Sequence, residues 1–130
     1  MSKRSLQIAS AVLGLIPILT GIVGMSGLSD PLYASTQLPP NILLDSNLRF
    51  FGGVWFGLGV AMYWIIPNIE KQTALFRALW GMIFVGGPGR LISMIALGLP
   101  PVPFLAFTAL EIVGAPLVVL WQARISRAGQ

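Results

Sequence analysis

Two residues able to do chemistry lie deep inside apolar stretches of this sequence, Arg90 and Glu111. A guanidinium presents N–H donors to oxygen acceptors, and a carboxylate can pair with it or, with a displaced pKa, carry a proton. A charge at the centre of a bilayer costs about 2.5 kcal/mol or more, so such groups face protein and find partners. Arg90 stands about seven residues from one end of its apolar run, roughly 10 Å deep at 1.5 Å per residue. Glu111 reaches a similar depth in the next run, which is joined to the first by a short turn over residues 98–103. Adjacent antiparallel helices thus bring opposite charges to one level, and an Arg90–Glu111 ion pair is expected. Arg49, at the start of the preceding run, is about one turn shallower. With Asp45, Asn47 and Ser93 it extends these two into one candidate polar cluster.

The residues that are missing narrow the chemistry further. The chain has neither His nor Cys, which removes the commonest metal ligand, the commonest general base, the usual haem ligand and every thiolate. No metal site and no cofactor are expected, and no catalytic residue is assigned.

The elements that must position these charges are set by composition. Hydrophobic residues make up 55% of the 130 and charged residues 9%, against about 25% charged in a soluble protein. Eight Lys and Arg and four Asp and Glu cannot cover the surface of a soluble fold this size, so lipid is expected to do so. Four apolar segments follow, over residues 5–28, 48–66, 73–97 and 104–123, each near the length of about 20 residues that spans a hydrocarbon core. The expected architecture is an all-α four-helix transmembrane bundle, one domain over residues 1–130. The first run follows Lys3 and Arg4 as a signal peptide would, but its length marks it as a retained span.

Residues 29–47 form the longest loop, holding Asp30, Asp45 and three Pro but no Lys or Arg. Pro40 could open a short interfacial helix within it. Six of the eight cations, Lys3, Arg4, Lys71, Arg77, Arg124 and Arg127, lie near the two ends of the chain and the middle loop. The positive-inside rule therefore puts both termini and that loop in the cytoplasm and the 29–47 loop outside. The net charge of +4 is accounted for by topology rather than by nucleic acid, and no nucleic-acid partner is expected. Trp64, Trp80 and Trp121 fall near the cytoplasmic ends as an aromatic belt; Trp55, inside the second segment, does not fit that belt.

Small residues recur at helical spacing: Ser10, Gly14, Pro17, Gly21 and Gly24 in the first segment; Arg49, Gly52, Gly53, Val60 and Trp64 in the second; Gly86, Gly87, Arg90 and Ser93 in the third; Glu111, Gly114, Ala115, Val118 and Gln122 in the fourth. Small residues let membrane helices approach closely, so these are the expected packed faces. Gly53 and Gly57, four apart, are read as part of intramolecular packing. The Gly86-Gly87-Pro88-Gly89 run is expected to interrupt or kink the third helix, mainly to admit a close neighbour; the alternative is a broken helix lining the cavity beside Arg90.

The stretch Asp45-Ser46-Asn47-Leu48-Arg49-Phe50-Phe51-Gly52-Gly53, then Gly86-Gly87-x-x-Arg90-Leu91-x-Ser93, Gly98-x-Pro100 and Glu111, resembles the DUF4345 family of small bacterial membrane proteins. The resemblance covers roughly residues 6–125 and implies a four-helix transmembrane bundle in a bacterial inner membrane, but no reaction. In plan alone the chain is also similar to DoxX-like four-helix proteins, a group that includes quinone-linked oxidoreductase subunits.

Three functional readings stand on these residues. The first is a non-enzymatic bundle that binds a lipid, a quinone-like molecule or another small amphiphile near Arg49, Arg90 and Glu111, or that serves as an accessory subunit of a larger membrane complex. The second is an enzyme acting on a lipid-soluble substrate with Glu111 as acid and base. The third is a small transporter or channel formed as a homo-oligomer. Against all three stands the plain alternative that Arg90 and Glu111 only clasp two helices together.

Overall fold

In the computed structural model the described residues are 2–128; Met1, Gly129 and Gln130, the extremities of the expected domain, lie outside them. Among the described residues the chain is all-α and no strand occurs. Four helical stretches are long and apolar enough to cross a membrane: Lys3–Gly24, Ile42–Asn68, Thr73–Leu97 and Val102–Ala128. The chain divides into two compact units, one of residues 8–66 and one comprising the described residues of 1–7 and 67–130.

The first unit pairs most of helix α1 (Lys3–Gly24) with helix α3 (Ile42–Ile65). The stripe Ser10, Gly14, Pro17 and Gly21 on α1 is buried, as its spacing predicts. A β-carbon on Gly21 would lie 2.5 Å from the Phe56 amide nitrogen, and one on Gly59 would lie 2.9 Å from that of Ile18. Only glycine lets these backbones come so close. On α3 the packed residues are Gly52, Leu58, Gly59, Met62 and Ile65. Val60 and Trp64, expected on that face, are exposed instead, Trp64 by 81%. From Phe50 onward the helix is apolar on every side, so its composition there gives the face no fixed rotation.

Side-chain hydrogen bonds fasten the pair. The Tyr63 hydroxyl donates to the Ala11 carbonyl at 2.6 Å, its ring lying over Gly14. The Trp55 indole donates to Thr20 Oγ1 at 2.8 Å, and Thr20 in turn donates to the Ile16 carbonyl. Trp55 is therefore an interhelical tie, which explains its position away from the expected belt.

Between the two helices the chain makes a short helix, α2 (Pro31–Ala34). Asp30 caps it by accepting from the Leu32 amide, with Pro31 at the first helical position, where its missing N–H is no loss. Helix α3 starts at Ile42, earlier than the loop boundary read from sequence, because Asn41 accepts from the Leu44 amide at 2.9 Å and caps it there.

In the second unit, helix α4 (Thr73–Leu97) packs against a composite helix made of α5 (Val102–Ala109), one wide turn and α6 (Ala115–Ala128). The buried residues of α4 are Phe76, Leu79, Trp80, Ile83 and Gly87, at helical spacing. Trp80 is 5% exposed and stacks near Phe76, so it belongs to the core and not to an aromatic belt. Helix α4 runs unbroken through Gly86-Gly87-Pro88-Gly89. The expected interruption is absent: the helix carries Pro88 within it, at the cost of the one hydrogen bond its missing N–H would give the Phe84 carbonyl. Gly98, at φ +102°, ends the helix, and its amide closes on the Met94 carbonyl.

Candidate functional site

Glu111 sits in the wide turn Leu110–Gly114, where the Ala115 amide bonds the Leu110 carbonyl, one residue beyond the α-helical partner. The next residue explains the turn. Pro116 has no N–H, and in a regular helix its ring would crowd the Ile112 carbonyl, so the backbone opens by one residue ahead of it. The opening turns Glu111 toward α4.

There Arg90 meets it. Arg90 Nε lies 3.0 Å from each oxygen of Glu111. The Glu111 side chain is 9% exposed and that of Arg90 38%. The guanidinium carbon also lies 5.6 Å from the centre of the Phe104 ring, within cation–π range. Gly87 makes the approach possible: a β-carbon there would fall 2.5 Å from Ile112 Cγ1 and 3.4 Å from Glu111 Cβ. One carboxylate thus neutralises Arg90 through its inner nitrogen alone. The two Nη groups have no hydrogen-bond acceptor among the described residues.

Such an arrangement is neutral overall, anchored on one side and rich in donors on the other. It suits an oxygen acceptor of low charge better than a free anion, whose attraction to Arg90 is already offset by Glu111.

Asp45 and Arg49 belong to the first unit, and there they pair with each other at 2.7 Å. Arg49 Nη1 also donates to the Met25 carbonyl at 3.0 Å, and Asp45 Oδ1 accepts the Leu28 amide at 2.9 Å. Gly27, at φ +64°, packs directly against Asp45 Oδ1. The Asp45–Arg49 pair is therefore a brace that ties the turn after α1 to the start of α3, with its polar atoms largely used. Asn47 and Ser93 are exposed, with no side-chain hydrogen bond among the described residues. Gly86, expected on the packed face of α4, has open space where a β-carbon would stand.

Sequence reasoning did not find Phe104, Pro116 or the role of Gln122. Gln122 is fully buried and donates from Nε2 to the Ile69 carbonyl at 2.9 Å and to Thr73 Oγ1 at 3.0 Å. Thr73 Oγ1 also lies 3.3 Å from Ser126 Oγ. This polar joint fixes the end of α6 to the start of α4, opposite the Arg90 level. The signal available for it was a lone Gln within a long apolar helix, which a membrane setting requires to be partnered. Near the same end, Lys3 and Glu70 pair at 2.9 Å, and the Lys3 ammonium holds the Glu70 carboxyl below the ordinary glutamate range.

No curated protein and no solved structure matches the chain. The model of one family, described as a domain of unknown function, matches residues 5–122, and these include the brace, the Arg90–Glu111 pair, Pro116 and Gln122. By that match over nearly its whole length, the chain belongs to the DUF4345 family.

Proposed function

We propose that this is a multi-pass protein of a bacterial inner membrane, with both ends in the cytoplasm, that binds a lipid-like or small amphiphilic molecule at Arg90. The observation that carries the reading is the half-used guanidinium. Glu111 takes its Nε, while both Nη groups stay open on a side chain 38% exposed within an apolar helix. Arginine at membrane depth is costly unless its donors are matched. A molecule with uncharged oxygen acceptors in its head and an apolar tail, such as an acyl ester or a quinone, supplies both the acceptors and the lipid-side contact. Phe104, beside the guanidinium, adds a flat apolar surface for it. The distribution of Lys and Arg supports the topology.

The purified chain in neutral detergent, heated with a monoacylglycerol or a short-tailed quinone, tests this reading. At least one of the two should raise the unfolding temperature, and Arg90→Gln should remove the rise. If neither raises it, and organic extraction of the protein yields no bound lipid, Arg90 and Glu111 act as a helix clasp alone.

A further inference from the structure

The charge of this chain is divided unequally between its two units. Seven of the eight Lys and Arg and two of the four acids fall in residues 1–7 and 67–130, a net +5, whereas residues 8–66 carry one Arg and two Asp, a net −1. Six of those seven cations lie in three places: the first turn of α1, the segment from Lys71 to Arg77 at the start of α4, and the last turns of α6.

Hydrogen bonds hold these three places together. Lys3 reaches Glu70 just ahead of α4, Gln122 reaches Ile69 and Thr73, and Thr73 meets Ser126 of α6. The one acid at this end, Glu70, is engaged by Lys3. Arg4, Lys71, Arg77, Arg124 and Arg127 are exposed and have no ion-pair partner among the described residues. Charges that only direct insertion need no such gathering, since the topology rule counts loops and is indifferent to how the helix ends are braced.

We infer that this end of the second unit binds the phosphate head groups of anionic phospholipids. A cluster of several Lys and Arg where helices leave the bilayer attracts anionic lipid, and a pre-braced cluster concentrates that attraction at one place. The inference is independent of the Arg90 site, which is neutralised by Glu111 and lies at the opposite level of α4.

Native mass spectrometry of the full chain, released from neutral detergent, tests it with phosphatidylglycerol and phosphatidylcholine of identical acyl chains. The wild type should retain phosphatidylglycerol about tenfold better, with the preference falling steeply as salt is raised before release. Replacing Arg4, Arg77, Arg124 and Arg127 together by Gln should bring the two lipids within about twofold. Equal retention by the wild type, a preference insensitive to salt, or a preference kept in full by the folded fourfold variant would each overturn the assignment. The salt arm uses the wild type alone, so the test holds even if the fourfold variant does not fold. Displacement of phosphatidylglycerol by a short oligonucleotide would overturn it in favour of nucleic acid.

Discussion

Arg90 Nε lies 3.0 Å from both carboxylate oxygens of Glu111, so a single nitrogen carries the whole ion pair and the outer fork of the guanidinium is left over. Glu111 is the buried partner. Removing Arg90 therefore strands a charge in the core of the second unit, whereas removing both partners strands nothing.

Arg90→Ala is expected to destabilise the protein by about 2–4 kcal/mol, near the low end for breaking a buried pair because Arg90 is partly exposed. The double variant Arg90→Ala, Glu111→Ala should fall short of the sum of the singles by about 1–3 kcal/mol. Reversible unfolding in mixed micelles measures all four species of the cycle. Additivity within about 0.5 kcal/mol would remove the coupling.

Two glycines of α3 and α1 should behave in opposite ways. Gly21→Ala drives a methyl into the Phe56 backbone, with 2.5 Å to its amide nitrogen, and should cost about 1–3 kcal/mol. Gly57→Ala meets nothing within 4 Å and should be neutral or stabilising by up to about 1 kcal/mol, from helix propensity. The same unfolding measurement compares them, and equal effects would contradict the packing described for α1 and α3.

Much of this architecture is legible in the sequence because membrane helices announce themselves by length and hydropathy. The Arg90–Glu111 pair followed from counting residues to each helix end, and the α1 stripe followed from its small residues. The rotation of α3 did not, since Val60 and Trp64 look no different from Leu58 and Met62 when every face is apolar. Trp80 was placed at an interface by residue type, although it is a core residue packed beside Phe76. The wide turn at Glu111 was missed because Pro116 acts on the carbonyl before it, which no periodicity displays. Helix α3 began early because one Asn cap outweighs the polar look of residues 45–47.

The brace in the first unit rests on Gly27. Its φ of +64° and its contact with Asp45 Oδ1 both exclude a side chain. Gly27→Ala should cost more than the roughly 1–2 kcal/mol of left-handed strain alone, because Asp45 must also shift. Gly89→Ala, in open space and without a positive φ, should be near neutral by comparison. Thermal unfolding of the two variants side by side checks the order, and a larger loss for Gly89→Ala would contradict it.

The Lys3–Glu70 pair makes a signed prediction for pH. The Glu70 carboxyl is held below its ordinary range in the folded protein, chiefly by its hydrogen bond from Lys3. As pH falls, the unfolded chain takes up this proton first, so stability declines with acid. The contribution is complete above the ordinary glutamate pKa of 4.5 and lost as pH drops through the lower folded value. Glu70→Gln should flatten the acid limb of a stability–pH curve relative to wild type. An unchanged limb would show that the pair is not formed in solution.

The most direct test of the central claim is an experimental structure of the protein in lipid nanodiscs at a resolution that defines bound lipid. The account predicts an amphiphile beside Phe104 with a head-group oxygen about 3 Å from an Nη of Arg90, while Nε stays on Glu111. A structure in which both Nη groups are closed off by protein side chains, with no amphiphile at Phe104, would contradict it.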